Sequence, residues 1–155
     1  MQKGFIYYNE QISPFRSYSM SVAVTARKKL FADGTFSVTG EAGQFINEQT
    51  AVSNTTRFLK AKGEWQHNLT EKVLYGITYN YTAYRQSTQP AIINGFLDFN
   101  IRYTPAKWKS YFELVGINLL DQGVYKQINL TPNQLSTFQL PLRVRTLLLK
   151  YAFTL

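Results

Sequence analysis

At 155 residues the chain is long enough for one domain with a proper core and too short for two comfortable ones. It contains no cysteine, which excludes a disulfide framework, thiolate catalysis and a zinc–thiolate site. The formal charge of +8 is scattered apart from Arg27-Lys28-Lys29 and Lys60/Lys62, and no stripe has the form of an RNA- or DNA-binding motif, so no nucleic-acid partner is expected.

The N-terminus lacks the sustained apolar run of a signal peptide, and no segment approaches the ~18 apolar residues of a spanning helix. Helical periodicity is nearly absent, whereas period-2 alternation recurs from end to end. The first predicted strand, about 2–12, is too apolar on both sides to assign faces. The second, 17–31, sets Tyr18, Met20, Val22, Val24 and Ala26 against a Ser/Thr-rich side. Ala-Asp-Gly at 32–34 carries the signal for a tight hairpin. The third strand, 35–48, opposes Phe36, Val38, Gly40 and Ala42 to Thr35, Ser37, Thr39 and Glu41. The fourth, 55–67, places Leu59, Ala61, Gly63 and Trp65 opposite Lys60, Lys62, Glu64 and Gln66.

A turn at 68–72 leads into the fifth strand, 73–88, with Tyr75, Ile77, Tyr79, Tyr81 and Ala83 on one side and Gly76, Thr78, Asn80 and Thr82 on the other. The sixth, 93–104, opposes Leu97, Phe99, Ile101 and Tyr103 to Phe96, Asp98, Asn100 and Arg102. The seventh, about 109–128, is ambiguous between Phe112/Leu114 and Val115/Ile117 as its greasy side, and a bulge there would change the face. The C-terminal strand, 143–155, carries Leu147, Leu149, Tyr151, Phe153 and Leu155. Tight connections at 32–34, 68–71 and 105–108 alternate with looser ones near 13–16, 49–54, 89–92 and 129–137, the rhythm of an up-and-down antiparallel meander. The expected fold is all-β, about eight antiparallel up-and-down strands forming a single β-barrel segment over 1–155, with no plug domain.

The greasy faces mix large residues with Gly40, Ala42, Ala61, Gly63, Ala83 and Gly95, and they carry aromatics near strand ends. A soluble core packs its interior densely, whereas a lipid-facing band tolerates small residues mid-strand and favours aromatic girdles at both interfaces. That pattern favours transmembrane barrel strands. Lys60, Lys62, Glu64, Asn80, Asp98, Asn100 and Arg102 are then the candidates to face the lumen, and Trp65, Tyr75, Tyr103, Trp108 and Tyr111, all beside the tight turns, are candidates for one aromatic girdle.

Two stretches carry a more specific likeness. Leu-Leu-Leu-Lys-Tyr-Ala-Phe-Thr-Leu ends the chain in alternating aromatic and apolar residues, and it resembles the C-terminal assembly signal of bacterial outer-membrane barrels. Tyr151, Phe153 and Leu155 match it, with Leu155 standing where an aromatic is usual. Phe-Glu-Leu-Val-Gly-Ile-Asn-Leu-Leu-Asp-Gln (112–122) resembles the Asn-Leu-Phe-Asp signature in the penultimate strand of TonB-dependent receptors, with Leu120 in place of Phe. A polar loop and the Pro/Arg segment 139–145 follow before the last strand, as in that family. Together with the long tyrosine-rich strands, the chain resembles the C-terminal barrel portion of TonB-dependent-receptor-like proteins of the Bacteroidota. Such barrels have about twenty-two strands. The resemblance implies a bacterial outer-membrane location, uptake of a nutrient or metal chelate driven by TonB, and as partners outer-membrane lipid, the barrel-assembly machinery, and remaining barrel strands and plug on the same or another chain.

Catalytic chemistry and cofactors are not expected. His67 is the sole histidine, with no Ser-His-Asp or metal-ligand set around it. Glu41, Glu64 and Asp98 lie among lysines and arginines and read as ion-pair partners rather than an acid/base pair. The N-x-S/T matches at Asn54, Asn68, Asn80 and Asn129 are what an Asn/Thr-rich β-protein produces by chance. Two other readings stay open: a self-contained eight-stranded outer-membrane barrel with a structural, adhesive or partner-binding role, and a soluble β-barrel or sandwich that binds a small apolar or glycan ligand.

Overall fold

The computed structural model describes residues 2–8, 11–30, 33–49, 52–86, 89–107, 109–131 and 134–153. The chain is all-β, an antiparallel up-and-down sheet, as the alternation predicts. Seven strands follow one another in space as in sequence: β1 (Gln2–Tyr8), β2 (Gln11–Leu30), β3 (Gly34–Gln49), β4 (Val52–Thr70), β5 (Val73–Gln86), β6 (Ile92–Tyr103) and β7 (Ser110–Ile117). A separate two-stranded hairpin follows, β8 (Val124–Thr131) and β9 (Gln134–Pro141), before β10 (Thr146–Phe153) pairs with β7. β1 and β10 are the edges of the eight-stranded sheet, and among the described residues they do not pair with each other.

Several boundaries differ from those the sequence predicts. The stretch 13–16, expected as a loop, lies inside β2, which already pairs with β1 from Gln11. Pro14 is accommodated because the ladder to β3 begins only at Phe15↔Gln49, so a single strand flanks it. Between β3 and β4 the ladder continues to Gln49↔Val52, which makes that connection as short as the turns at the other end. β4 runs past 67 to Thr70 through a register shift between Asn68 and Thr70.

The largest difference is the seventh strand. Asn118 and Asp121 have φ of 56° and 57°. An extended strand cannot contain such residues, so the ladder stops at Ile117 and the chain leaves the sheet. Much of the polar loop expected at 129–137 belongs to the β8–β9 hairpin instead, with residues 132–133 outside the described set. The last strand begins at Thr146 rather than 143.

Register assigns every face. One row runs Phe36↔Trp65↔Ile77↔Phe99↔Gly116↔Leu147, and its neighbours two residues along carry Val38↔Gly63↔Tyr79↔Leu97 and Gly40↔Ala61↔Tyr81↔Gly95. Phe112 and Leu114 pair with Tyr151 and Leu149 on this apolar face, while Val115 pairs with Asn100 on the other. The ambiguity of that segment is thereby resolved without a bulge. Close approaches fix two glycines: the Phe99 ring covers Gly116 on the apolar face, and the Phe58 ring covers Gly43 on the opposite one, where an added Cβ would collide with the ring.

Burial is inverted relative to a soluble sheet. Among the described residues the only buried apolar side chain is Phe58, and it sits on the polar face. The polar face also buries Thr56, Gln86, Asn94 and Glu113. The apolar face is the open one, with Val22 70% exposed, Leu149 76% and Phe153 62%.

Candidate functional site: two faces and a folded-over hairpin

The polar face gathers the charged residues into two groups. On β3 and β4, Lys60 Nζ lies 3.0 Å from Glu41 and Lys62 Nζ 2.7 Å from Glu64, which also accepts a 3.2 Å hydrogen bond from Ser37 Oγ. The period-2 alternation places these residues, and cross-strand register (Glu41↔Lys60) makes one of the pairs directly opposed. On β6, β7 and β10, Glu113 is 8% exposed and receives Arg102 Nη2 at 3.1 Å, Asn100 Nδ2 at 3.5 Å and Lys150 Nζ at 3.9 Å. Arg102 also lies 4.5 Å over the Tyr111 ring. Lys60, Lys62, Glu64, Asn80, Asp98, Asn100 and Arg102 all project from this one face, as register requires.

Asp98 is engaged in the architecture: its Oδ1 accepts the Asn118 N–H at 2.8 Å. Asn118 is the hinge of a tight corner. Its amide donates to the carbonyls of Gln122 and Arg143, both at 3.0 Å, and its Oδ1 accepts the Gln122 N–H at 2.9 Å. Asp121 Oδ1 accepts the Arg145 N–H at 3.0 Å. The Asn-Leu-Leu-Asp segment thus turns β7 out of the sheet and clamps the returning strand, so that β10 arrives beside β7 in register.

The hairpin between these two points folds over the polar face of β6. Asn94, 1% exposed, donates from Nδ2 to the Lys126 carbonyl at 2.7 Å and accepts the Lys126 N–H on Oδ1 at 3.0 Å. The rings of Phe96 and Tyr125 meet 6.0 Å apart beside it. Sequence reasoning missed this element. The signals were Thr-Pro-Asn at 131–133 between two alternating runs, a turn cluster, and Asn94 on a face otherwise lined by Asp98, Asn100 and Arg102.

On the apolar face an aromatic row crosses the sheet at the end where β2 turns into β3 and β4 into β5. Phe36 and Trp65 lie 6.3 Å apart, Trp65 and His67 6.1 Å, His67 and Tyr75 5.4 Å, Phe112 and Tyr151 4.9 Å, and Tyr151 and Phe153 5.8 Å. Trp65, Tyr75 and Tyr103 belong to this face, and Phe36, His67 and Phe112 join them. Tyr111 departs from expectation: it pairs with Ala152 and points to the polar face, because β7 puts Phe112 on the apolar side. Trp108 and Leu155, expected in the girdle and the C-terminal signal, lie outside the described residues.

No family model, no curated protein and no solved structure matches the chain. The two faces must therefore be interpreted from their own chemistry. Among the described residues no group of three or more His, Asp and Glu side chains converges as a metal site, and no helix is long and apolar enough to cross a membrane. The arrangement offers an exposed apolar face, an ion-paired polar face and a hairpin anchored on the latter.

Proposed function

We propose that the chain forms wall strands of a bacterial outer-membrane β-barrel that transports or receives a solute. The observation that carries this reading is the inverted burial: a continuous apolar face left open, backed by a polar face that is the better buried of the two. In water such a face would be a contiguous hydrophobic patch far beyond what a soluble monomer exposes. Against lipid it is the expected exterior.

The dimensions agree. On β5 the apolar positions run from Tyr75 to Ala83, eight steps or about 27 Å of extended strand. Tilted by about 40°, that length spans about 20 Å, most of the ~25 Å apolar band of a transmembrane barrel. The aromatic row marks one border of this band, at the end where β2 turns into β3 and β4 into β5. The polar face would then line the lumen, with the hairpin folded into it.

The resemblance of residues 112–122 and of the C-terminal strand to TonB-dependent receptors refines the proposal to uptake of a nutrient or metal chelate. Lipid, the assembly machinery and further barrel strands would be the partners. The open edges at β1 and β10 support additional strands, because unpaired edges are avoided in membranes. A second reading, a self-contained barrel, is favoured by the strand number alone: the sheet holds eight strands, a number that closes.

Folding of the purified chain in detergent micelles, with heat-modifiable gel migration, tests the membrane reading. A sharp unfolding transition of a monomer in plain buffer would overturn it. Because the chain has no cysteine, Lys3→Cys paired in turn with Leu147→Cys and with Leu149→Cys, positions that share the apolar face, separates the two barrels: efficient intramolecular cross-linking of either pair means closure of β1 on β10, and its absence from both in the folded protein means a larger wall.

A further inference from the structure

Arg57 and Arg85 are directly opposed Cα partners on neighbouring strands. Both stand on the apolar face, since Leu59↔Ala83 is the preceding rung of the same row pattern and belongs to the lipid-type band. They lie where that band ends, away from the aromatic row. Gln44 is the cross-strand partner of Arg57 on its other side.

Two like charges set opposite each other in a sheet repel. Four cations of the polar face are neutralised: Lys60 with Glu41, Lys62 with Glu64, Arg102 and Lys150 with Glu113. Among the described residues neither Arg57 nor Arg85 has a carboxylate partner. Arg57 and Gln44 line a shallow groove of about 890 Å³ together with Met20, Val22 and Ala42 of the apolar face and with Ser19, Ser21, Gly43 and Phe58 of the opposite one. Met20 and Val22 are 64% and 70% exposed.

We propose that Arg57 and Arg85, with Gln44, bind the phosphate of a membrane lipid whose acyl chain lies along the Met20/Val22/Ala42 groove. Guanidinium groups are suited to this ligand because their planar forks pair with phosphate oxygens bidentately. The adjoining groove selects a lipid-borne phosphate over a free one. An anion between the two arginines removes their repulsion, and the border of the apolar band is the depth at which head-group phosphates lie. The site rests on the membrane reading, and it assigns the arginine end to the leaflet opposite the aromatic row.

The test uses the full chain folded into vesicles of phosphatidylcholine alone, or with phosphatidylglycerol or lipid A added, followed by extraction and mass analysis of retained lipid. The wild type is expected to retain the anionic lipid selectively. Arg57→Gln/Arg85→Gln is expected to lose that retention by roughly thirtyfold at low salt, the scale for two basic side chains at an anionic surface. Lys60→Gln/Lys62→Gln, on the other face, is expected to retain it. Selectivity for lipid A over phosphatidylglycerol identifies a phosphomonoester ligand, and the reverse identifies a phospholipid diester; either supports the site.

Equal retention by wild type and the arginine variant overturns the site, as does equal loss in the lysine variant or displacement of the lipid by excess inorganic phosphate. In those cases folding in phosphatidylcholine persists and the membrane reading survives. Failure of the wild type to insert into any vesicle overturns the membrane reading and the site together.

Discussion

Asn94 and Lys126 exchange two hydrogen bonds: the Asn94 amide donates to the Lys126 carbonyl at 2.7 Å, and the Lys126 N–H donates to Asn94 Oδ1 at 3.0 Å. The side chain thus imitates the backbone of a neighbouring strand. It supplies β8 with a rung that no strand provides, and it does so in a position that is 1% exposed. One residue therefore holds the hairpin over the polar face.

Replacing Asn94 by Ala leaves both Lys126 backbone groups without these partners. An unsatisfied buried polar group costs about 1–3 kcal/mol. The hairpin is expected to detach while the sheet stays folded, because β8 has few other contacts with β6. Hydrogen exchange resolved by segment checks this: protection should fall over 124–141 and persist over β3–β5. Unchanged protection in the hairpin would show that the Phe96–Tyr125 contact suffices.

The corner at Asn118 combines a backbone demand with a side-chain one. Its φ of 56° costs an ordinary L-residue about 1–2 kcal/mol, and glycine almost nothing. Its amide makes three hydrogen bonds that both Ala and Gly would remove. Asn118→Gly is thus expected to lose the side-chain share alone, and Asn118→Ala to be less stable than Asn118→Gly by about 1 kcal/mol. Urea unfolding in detergent measures the difference. Equal stability of the two variants would mean that the corner relaxes out of the left-handed region.

How far the sequence foretold these features depends on their range. Period-2 alternation is local, so the faces of β2 to β6 could be read residue by residue, and Lys60, Asn80 and Arg102 were placed on one side correctly. Tyr111 was not, because a segment with apolar residues on both sides has no local signal for its face. Only the pairing of Tyr151 with Phe112 decides it. The Asn94–Lys126 ring joins residues far apart in sequence, and nothing in either neighbourhood announces the other. Asn118 and Asp121 were visible as a motif, while their left-handed geometry and the strand break they impose were not.

Glu113 and Glu41 are both ion-paired on the polar face, but in different surroundings. Glu113 is 8% exposed and serves Arg102, Asn100 and Lys150; the Glu41 side chain is 31% exposed and serves Lys60. Exposed pairs contribute about 0–1 kcal/mol, whereas removing one partner of a buried pair costs up to 3–5 kcal/mol. Arg102 keeps 39% side-chain exposure, which lowers the expectation for Glu113→Ala to about 2 kcal/mol. Glu41→Ala should fall within about 1 kcal/mol of wild type. Denaturant midpoints of the two variants check the order, and a reversal would place the important network on β3 and β4 instead.

The membrane reading makes its sharpest prediction in a pair of adjacent residues. Tyr79 lies on the apolar face near the middle of the band, 40% exposed, and Thr78 lies on the polar face between Glu64 and Asp98. Arginine on the lipid side of a barrel costs about 2–4 kcal/mol at the midplane and about 0–1 kcal/mol near an interface. Tyr79→Arg should therefore destabilise the folded protein in bilayers strongly, Tyr75→Arg in the aromatic row only slightly, and Thr78→Arg hardly at all, since two carboxylates flank it. In water an exposed substitution stays within about 0.5 kcal/mol wherever it falls. Folding free energies of the three variants in vesicles decide the matter: a cost that rises with depth on the apolar face alone requires lipid there. A flat response across Tyr75, Thr78 and Tyr79 would mean that this face meets solvent.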